Sequence, residues 1–156
     1  MASPDQLSDS NTGNIKICIP DTGIDLNHED LLSDNITGEV SNTLTVEMDI
    51  GQWYEDSYGH GTHMAGTIAA IGGNNIGTVG INPGGNIKLH MVKIVDNPGW
   101  WPFRGSDLIA AVERCQAAGA NIINMSIAGS KSSVAEQQAM QVAYDAGILL
   151  VGASGK

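Results

Sequence analysis

The sequence predicts an α/β fold of three layers, in which helices cover both faces of a mostly parallel β-sheet. Two observations support this prediction. Short apolar runs bounded by turn residues alternate along the chain with segments of helical hydrophobic period, which is the pattern of βαβ units. The chain has 156 residues, 42% of them apolar, so it is long enough for one compact domain with a substantial core.

Four short apolar runs predict the buried strands of this sheet. The first run is expected to end at Pro20. A further, weaker strand is expected around residues 44–48. The four runs are IKICI (15–19), IKLHMVKIV (87–95), NIINM (121–125) and ILLV (148–151).

Three helices are expected between the strands. The first covers residues 60–71, the second is capped by Ser106, and the third opens with a capping box of Ser133 and Glu136. A glycine follows each of the last two helices and is expected to end it. The residues expected on the inner faces are Met64, Ala65, Ile68 and Ala69 for the first, Leu108, Val112 and Cys115 for the second, and Ala135, Ala139, Val142, Ala143 and Ala146 for the third.

The formal net charge of −10 argues against nucleic acid or an anionic membrane as a partner, since both select for lysine and arginine. Calcium binding and simple solubility are alternative reasons for the acidity. No apolar run approaches 18 residues and the start has no signal-peptide pattern, so neither a membrane span nor a leader is expected. Residues 1–14 are polar and are expected to be a flexible N-terminal segment, followed by one domain over 15–156.

Two cysteines, Cys18 and Cys115, are present in the sequence, and both lie in apolar segments. Two cysteines do not make a disulfide framework. Plain packing in the core is therefore the preferred prediction, and a single bridge between them is the alternative.

Two polar motifs indicate nucleophilic chemistry. Asp21 lies in PDTGID (20–25), where a buried strand breaks into a turn, and a buried carboxylate there needs a partner. His60 lies in YGHGTHMAG (58–66) at the start of a helix, where the helix dipole disfavours imidazolium. A buried aspartate behind the ring would fix its tautomer and leave the other nitrogen as a base. Together the two side chains would form half of a nucleophilic triad.

Each motif also has another interpretation. Asp-Thr-Gly is similar to the turn of aspartic proteases. His60 and His63 stand three residues apart on a predicted helix, a spacing that can bind a metal. The order of the two motifs within this pattern of strands and helices favours the triad.

Three blocks of the sequence resemble the subtilisin-like serine proteases, and they occur in the order of that family: IKICIPDTGIDLNHEDL (15–31), YGHGTHMAGTIAA (58–70) and NIINMSIAG (121–129). The resemblance implies that Asp21 is the triad aspartate and His60 the general base. It also implies that His63 is a structural residue of the helix. The implied fold is a subtilisin-like domain that is incomplete, with its C-terminal part absent.

The resemblance implies a set of substrate-binding residues as well. The segment after the third of the four apolar runs would pair with a polypeptide backbone by strand addition, which needs no particular substrate sequence. Trp101 would face this segment across the cleft; with Trp100 and Phe103 it either lines apolar subsites or packs on a loop. The other implied residues are Ser126, Ile127, Ala128 and Gly129 in the binding strand, and Ala153, Ser154 and Gly155 in the floor of the specificity pocket.

A structural calcium site is a further implication, with oxygen ligands of the kind that a hard cation prefers. Asp30 matches a carboxylate ligand of the family, and IGGNNIGT (71–78) matches a calcium loop. A plain Gly/Asn turn is the alternative. The implied loop ligands are the carbonyls of Ile71, Ile76 and Thr78 and the side chain of Asn74.

The chain departs from the family at two positions that matter for catalysis. It contains no Gly-Thr-Ser block, so the nucleophilic serine is missing, and Ser154 lies in the pocket floor and does not replace it. Lys156 stands where the family has the asparagine of the oxyanion site. Without the serine, this chain alone is expected to be inactive.

The resemblance therefore implies the N-terminal half of a secreted subtilisin-like serine endopeptidase, which hydrolyses peptide bonds with an Asp-His-Ser triad whose serine is not in this chain. The implied partners are a polypeptide substrate and either a complementing C-terminal chain or a second copy of this chain. The alternative is a non-catalytic, truncated relative that acts as a binding or oligomerising unit. In both cases an exposed apolar strand at the edge of the sheet would favour association.

Overall fold

The computed structural model describes residues 14–41, 50–96, 104–129 and 131–155. Within them, five parallel strands form one sheet in the order β2-β3-β1-β4-β5, accompanied by three α-helices and a 3₁₀ turn at Ser33–Asn35. The strands are β1 (Lys16–Asp21), β2 (Ile36–Val40), β3 (Lys88–Lys93), β4 (Ile122–Met125) and β5 (Leu149–Gly152). The helices are α1 (His60–Ala69), α2 (Gly105–Ala117) and α3 (Val134–Asp145).

The predicted three-layer α/β architecture is confirmed, because the two faces of the sheet bury two separate apolar clusters. Ile17 and Ile19 of β1 belong to the cluster that contains Ala65 of α1. Cys18, between them, belongs to the cluster that contains Val112 of α2 together with part of α3. This alternation is the period of a strand buried on both faces. Since the five strands are parallel, their carboxyl ends meet at one edge of the sheet, where α/β folds place their sites.

The predicted end of β1 before Pro20 is wrong, because the strand runs through Pro20 to Asp21. Lys16 O accepts a hydrogen bond from Asn121 N–H, which places the backbone groups of the even-numbered residues on the β4 side. The pairing with β4 ends at Cys18, so the N–H that Pro20 lacks is not needed there. Asp21 is therefore held as the last residue of a central strand.

Strand β2 is not among the predicted strands. In its sequence, ITGEV, only the first and last residues are apolar, so neither a continuous run nor an alternating pattern is present. Tertiary contacts form it: Gly38 packs so closely on Trp53 that a Cβ at this glycine would lie 2.4 Å from the indole ring. The weaker strand expected at 44–48, and residues 1–13 of the expected N-terminal segment, lie outside the described residues.

The three predicted helices are present, with different starts and ends. α1 ends at Ala69 rather than residue 71, and α2 starts at Gly105, so Ser106 is inside the helix and does not cap it. Arg104 precedes the helix instead, and its N–H donates to the carboxylate of Asp107 at 3.2 Å. None of the described helices is long and apolar enough to cross a membrane.

The capping box of α3 is confirmed, but its predicted inner face is largely wrong. Ser133 N–H donates to Glu136 Oε2 at 2.6 Å, and Glu136 N–H donates to Ser133 Oγ at 3.1 Å. Among the five residues expected to face inward, Ala143 is buried, whereas Val142 is 60% exposed. Met140 packs on the core beside Ala143, so the helix is rotated relative to the predicted stripe.

The two cysteines form a disulfide, and the preferred prediction of unbonded core cysteines is therefore wrong. The bond joins Cys18 in β1 to Cys115 in α2, with a Cα–Cα distance of 5.6 Å. Both residues are also fully buried in the core, so the apolar surroundings that favoured simple packing are real. The sequence did not contain the information that the two side chains meet.

Candidate active site

Asp21 and His60 meet at the carboxyl edge of the sheet. Asp21 is the last residue of β1 and His60 is the first residue of α1. Asp21 Oδ1 lies 2.7 Å from His60 Nδ1. The aspartate is fully buried, whereas the imidazole side chain is 35% exposed. The protein therefore fixes one side of the pair and leaves the other accessible from solvent.

Two glycines allow this close approach of strand and helix. A Cβ at Gly61 would lie 2.1 Å from Gly23 O and 3.2 Å from Asp21 Cβ, so only glycine fits at the first turn of α1. Gly23 has a φ of +114° and lies against Glu55 O, which a Cβ would approach to 2.3 Å. The Asp-Thr-Gly and His-Gly-Thr motifs therefore pack backbone against backbone.

The Asp21 carboxylate is balanced between burial and hydrogen bonding. Burial raises the pKa of Asp21, and the hydrogen bonds from His60 and from Thr22 N–H, at 2.8 Å, oppose that rise. Among the described residues, Oδ2 of Asp21 is buried and has no hydrogen-bond partner. Oδ1 has both of these partners, and with an ionised Asp21 the imidazole that pairs with it donates through Nδ1–H.

A third carboxylate, Asp56, joins the two segments. Its Oδ1 accepts hydrogen bonds from the Thr22 hydroxyl at 2.8 Å and from Gly59 N–H at 2.9 Å. Its Oδ2 accepts from the Thr62 N–H at 2.9 Å and from the Thr62 hydroxyl at 2.6 Å. Asp56 is not among the residues predicted above. The residue directly before α1 is Gly59, and Asp56 lies three positions further upstream, so it does not occupy the usual cap position. An acidic residue just upstream of a helix start is the signal that could have identified it.

The two other interpretations of these motifs fit the geometry less well. His60 Nδ1 is engaged with Asp21, and His63 lies on an exposed part of α1. Across the described ranges, no three histidine, cysteine or acidic side chains are placed to hold a metal ion. The partner of the Asp21 carboxylate is an imidazole, whereas an aspartic protease pairs two carboxylates.

The expected substrate strand and pocket floor lie side by side. β4 and β5 are paired, and Ala153 N–H donates to Met125 O at 3.0 Å, so the segments that follow both strands leave the sheet together. The Ser126 hydroxyl accepts a hydrogen bond from the Asn124 side chain at 2.8 Å. Both segments line a cavity of about 1010 Å³. The predicted residues among its lining are Ile127, Ala128, Gly129, Ala153, Ser154 and Gly155.

Two of the predicted site residues, Trp101 and Lys156, lie outside the described residues. The same holds for Trp100 and Phe103, the neighbours expected to line apolar subsites.

Two of the residues expected to bind calcium, Asn74 and Thr78, contact the buried carboxylate of Asp30. Its Oδ1 accepts from the Asn74 side-chain amide at 2.8 Å, and its Oδ2 from Thr78 N–H at 2.9 Å. Ile71 N–H donates to Asp30 O at 3.2 Å. Ile76 N–H donates to Asn74 Oδ1 at 3.1 Å. The structure thus places all five predicted residues around one short loop.

The fit of this loop to a metal can be judged from its shape and its donors. A Cβ at Gly77, where φ is +53°, would lie 2.4 Å from Asp30 Oδ2, so the chain wraps tightly round the carboxylate. Carboxylate, amide and carbonyl oxygens are the atoms that a hard cation prefers. Asp30 and the loop thus contain donor atoms of this kind, with N–H groups of Asn74 and Thr78 on the two carboxylate oxygens, and calcium binding stays a prediction.

The family model and the curated relatives that this chain matches describe the same family of proteins. Residues 12–156 match the family model described as the subtilase family. The chain is 36% identical over 146 residues to subtilisin DY of Bacillus licheniformis, covering 91% of this chain and 47% of that relative. For other curated subtilisins the share of the relative is 34%. The chain thus spans less than half of the length of these curated relatives.

Solved structures show the same similarity. The psychrophilic subtilisin-like protease Apa1 from the Antarctic psychrotroph Pseudoalteromonas sp. AS-11 superposes with a TM-score of 0.81 at 42% identity, covering 97% of this chain and 34% of that one. Fervidolysin of Fervidobacterium pennivorans, a keratinolytic enzyme related to subtilisin, superposes with a TM-score of 0.74 at 26% identity, covering 97% of this chain and 23% of that one.

Proposed function

The chain belongs to the subtilase family, and we propose that it supplies the aspartate and the histidine of a serine endopeptidase whose nucleophilic serine lies in sequence outside this chain. The observation that supports the proposal most is the 2.7 Å contact between buried Asp21 and partly exposed His60. It joins an orienting carboxylate to a base that substrate can reach. The substrate class is polypeptide and the reaction is hydrolysis of the peptide bond.

In the proposed reaction His60 is the general base. Asp21 accepts the Nδ1–H hydrogen bond, so the neutral imidazole has its lone pair on Nε2 and can take the proton of the serine hydroxyl. The serine oxygen then attacks the peptide carbonyl carbon, and the amine leaves with the proton that His60 held. Water repeats the sequence on the acyl-enzyme. The charge of the imidazolium is stabilised by a carboxylate only 2.7 Å away.

We propose that the substrate backbone adds as a strand beside residues 126–129, with one side chain in the cavity between that segment and residues 153–155. This assignment is supported by the volume of about 1010 Å³ and by the common lining of both segments. Trp101 is proposed to face this segment. Lys156 is proposed at the oxyanion position; loss of an oxyanion donor costs about a hundred- to a thousand-fold in kcat, a range established with subtilisin itself.

Calcium is proposed as a structural ion at Asp30 and the loop 71–78. When bound, it supplies a positive charge that cross-links the loop to the buried carboxylate, with no part in the chemical step. The proposed ligands are Asp30, Ile71, Asn74, Ile76 and Thr78. Secretion is proposed from the family and from the Cys18–Cys115 bond, because disulfides persist in oxidising compartments.

A complementing chain, or a second copy, is proposed to cover the β5 side of the sheet. Within the described part of the chain, β5 is paired only with β4. Leu149 is 57% exposed and the neighbouring Tyr144 of α3 is 66% exposed. An unpaired apolar edge associates readily. Gel filtration of the chain alone should therefore show oligomers, and a stable monomer would contradict this proposal.

The second candidate function is a non-catalytic binding unit, which the exposed apolar side chain of Leu149 at the β5 side of the sheet supports. One experiment separates the two. The chain alone and the full-length protein that contains it are each incubated with a serine-reactive fluorophosphonate and with casein. We expect labelling and cleavage by the full-length protein only, and loss of cleavage in its His60→Ala variant. Labelling of the chain alone would refute the proposal that the nucleophilic serine lies outside it. A full-length protein that neither reacts nor cleaves would favour the non-catalytic binding unit.

A further inference from the structure

We propose that Asp56 is a positioning residue that holds His60 in register with Asp21. The inference rests on the proposed function, because it concerns the same pair of side chains. Among the described residues, Asp56 makes its hydrogen bonds to Thr22, Gly59 and Thr62 rather than to the imidazole or the expected substrate segment. It acts through the two segments that carry the pair: the turn after β1 and the first turn of α1.

The link to the turn after β1 passes through Thr22. The hydroxyl of Thr22 donates to Asp56 Oδ1 at 2.8 Å and accepts from Gly61 N–H at 3.0 Å. The backbone N–H of the same residue donates to Asp21 Oδ1 at 2.8 Å, the oxygen that also contacts His60. Thr22 is 1% exposed, so water does not compete for these bonds. A shift of Asp56 would therefore move the immediate neighbour of Asp21.

The link to α1 is a helix cap. Gly59 N–H and Thr62 N–H, on either side of His60 in the chain, both donate to the Asp56 carboxylate at 2.9 Å. The Thr62 hydroxyl adds a third bond at 2.6 Å and also accepts from Asp25 N–H at 2.9 Å. Four hydrogen bonds in total converge on one side chain. The first turn of α1, which begins with His60, is therefore fixed by the same carboxylate that binds Thr22.

The segment that contains Asp56 is itself anchored. Ile24 N–H donates to Trp53 O at 2.9 Å. The fully buried side chain of Lys93, at the end of β3, donates from Nζ to Glu55 O at 2.8 Å. Contacts with the segment after β1 and with the end of β3 thus hold the segment that contains Asp56 in place. We therefore expect a change at Asp56 to alter the positions of Asp21 and His60.

The charge of Asp56 supports the same conclusion. Burial works to raise the pKa of Asp56, but the hydrogen bonds from Thr62, Thr22 and Gly59 outweigh it and lower the pKa. The carboxylate is consequently ionised at neutral pH. An anion at the N-terminus of α1 offsets the positive end of the helix dipole and so stabilises the first turn, which contains His60.

The test observes the hydrogen-bonded Nδ1–H proton of His60 by NMR in the folded chain, assigned by its loss in Asp21→Ala. We expect this resonance to disappear in Asp56→Ala, because a loosened hydrogen bond exchanges with solvent. Thr22→Val removes the bond to Asp56 and the bond from Gly61 N–H but leaves the bonds of Asp56 to Gly59 and Thr62. It should weaken the resonance, and Thr22→Ser should restore it. In the full-length enzyme, Asp56→Ala and Thr22→Val should each lower kcat by up to about 100-fold at unchanged KM. This is the size of effect expected when a catalytic group is misplaced by about 1 Å.

The matched control is Asp25→Asn. It removes the same charge from a neighbouring turn, and the Asp25 carboxylate accepts a hydrogen bond from Asn27 N–H rather than from either catalytic segment. The resonance should persist in this variant. If Asp56→Ala fails to fold, as judged by circular dichroism, Thr22→Val decides the question alone. An unchanged resonance in Thr22→Val would overturn the inference, whereas its absence from the unsubstituted chain would overturn the proposed function as well.

Discussion

Removal of the Cys18–Cys115 bond is expected to destabilise the domain by about 4.7 kcal/mol. The bonded residues are 97 positions apart, and the chain-entropy relation gives about this value at 25 °C for a loop of that length. Since domains are stable by about 5–15 kcal/mol, the loss is about a third or more of the total. Each kcal/mol moves the Tm of a domain of this size by about 2–4 °C, so Cys18→Ala/Cys115→Ala should melt about 10–20 °C lower.

Urea unfolding of the oxidised protein and the double variant tests this value. The midpoint and the slope are fitted separately, because a bond that constrains the unfolded state should lower the slope as well as raise the midpoint. Both cysteines are fully buried, so dithiothreitol should leave the native protein unchanged and act only after unfolding. Equal midpoints for the two proteins would refute the loop-entropy argument, and rapid reduction of the native protein would refute the burial.

Three further predictions concern the site and its surroundings. Gly61→Ala should cost about 1–3 kcal/mol in urea unfolding, because its Cβ would lie 2.1 Å from Gly23 O, whereas Gly66→Ala in the same helix, where a Cβ meets nothing within 4 Å, should gain about 0.5–1 kcal/mol. Folding lowers the pKa of Asp56 from 3.8, so the ionised carboxylate stabilises the folded state above that pH. This stabilisation is lost as the pH falls through the lower pKa of the folded state. The urea midpoints of the unsubstituted protein and of Asp56→Asn should therefore converge below pH 3.8. Calcium at 100 times its Kd should add about 2.7 kcal/mol, a rise in Tm of about 5–10 °C that chelation reverses and that Asp30→Asn abolishes.

Much of the fold follows from local pattern. β3 and β4 lie within the predicted strand segments 87–95 and 121–125, β5 overlaps 148–151, and the capping box of Ser133 and Glu136 starts α3 where it was expected. The edge strand β2 could not be predicted in this way. Its polar centre becomes a strand only because β3 pairs with it and because Trp53 covers Gly38.

The candidate site divides in the same manner. Asp21 and His60 can be identified from the sequence because each lies at the boundary between an apolar element and a glycine turn. A polar side chain that is partly buried there needs a hydrogen-bond partner. Asp56 and the bond between Cys18 and Cys115 depend on which segments become neighbours in space. Sequence pattern alone does not show which segments become neighbours, so these two sets of contacts were not predicted, whereas the pairing of Asp21 with His60 was.

The strand order has a consequence for how this domain folds. β1 comes first in the sequence but lies at the centre of the sheet, where Ile17 pairs with Leu89 on one side and with Ile122 on the other. During synthesis, the nascent chain therefore cannot complete the centre of its sheet until β4 has left the ribosome. Contacts between residues so far apart in the sequence form slowly. Until they form, the unpaired strands can aggregate with other chains. Asp21, the residue proposed to orient the base, is thus synthesised early and acquires its surroundings late.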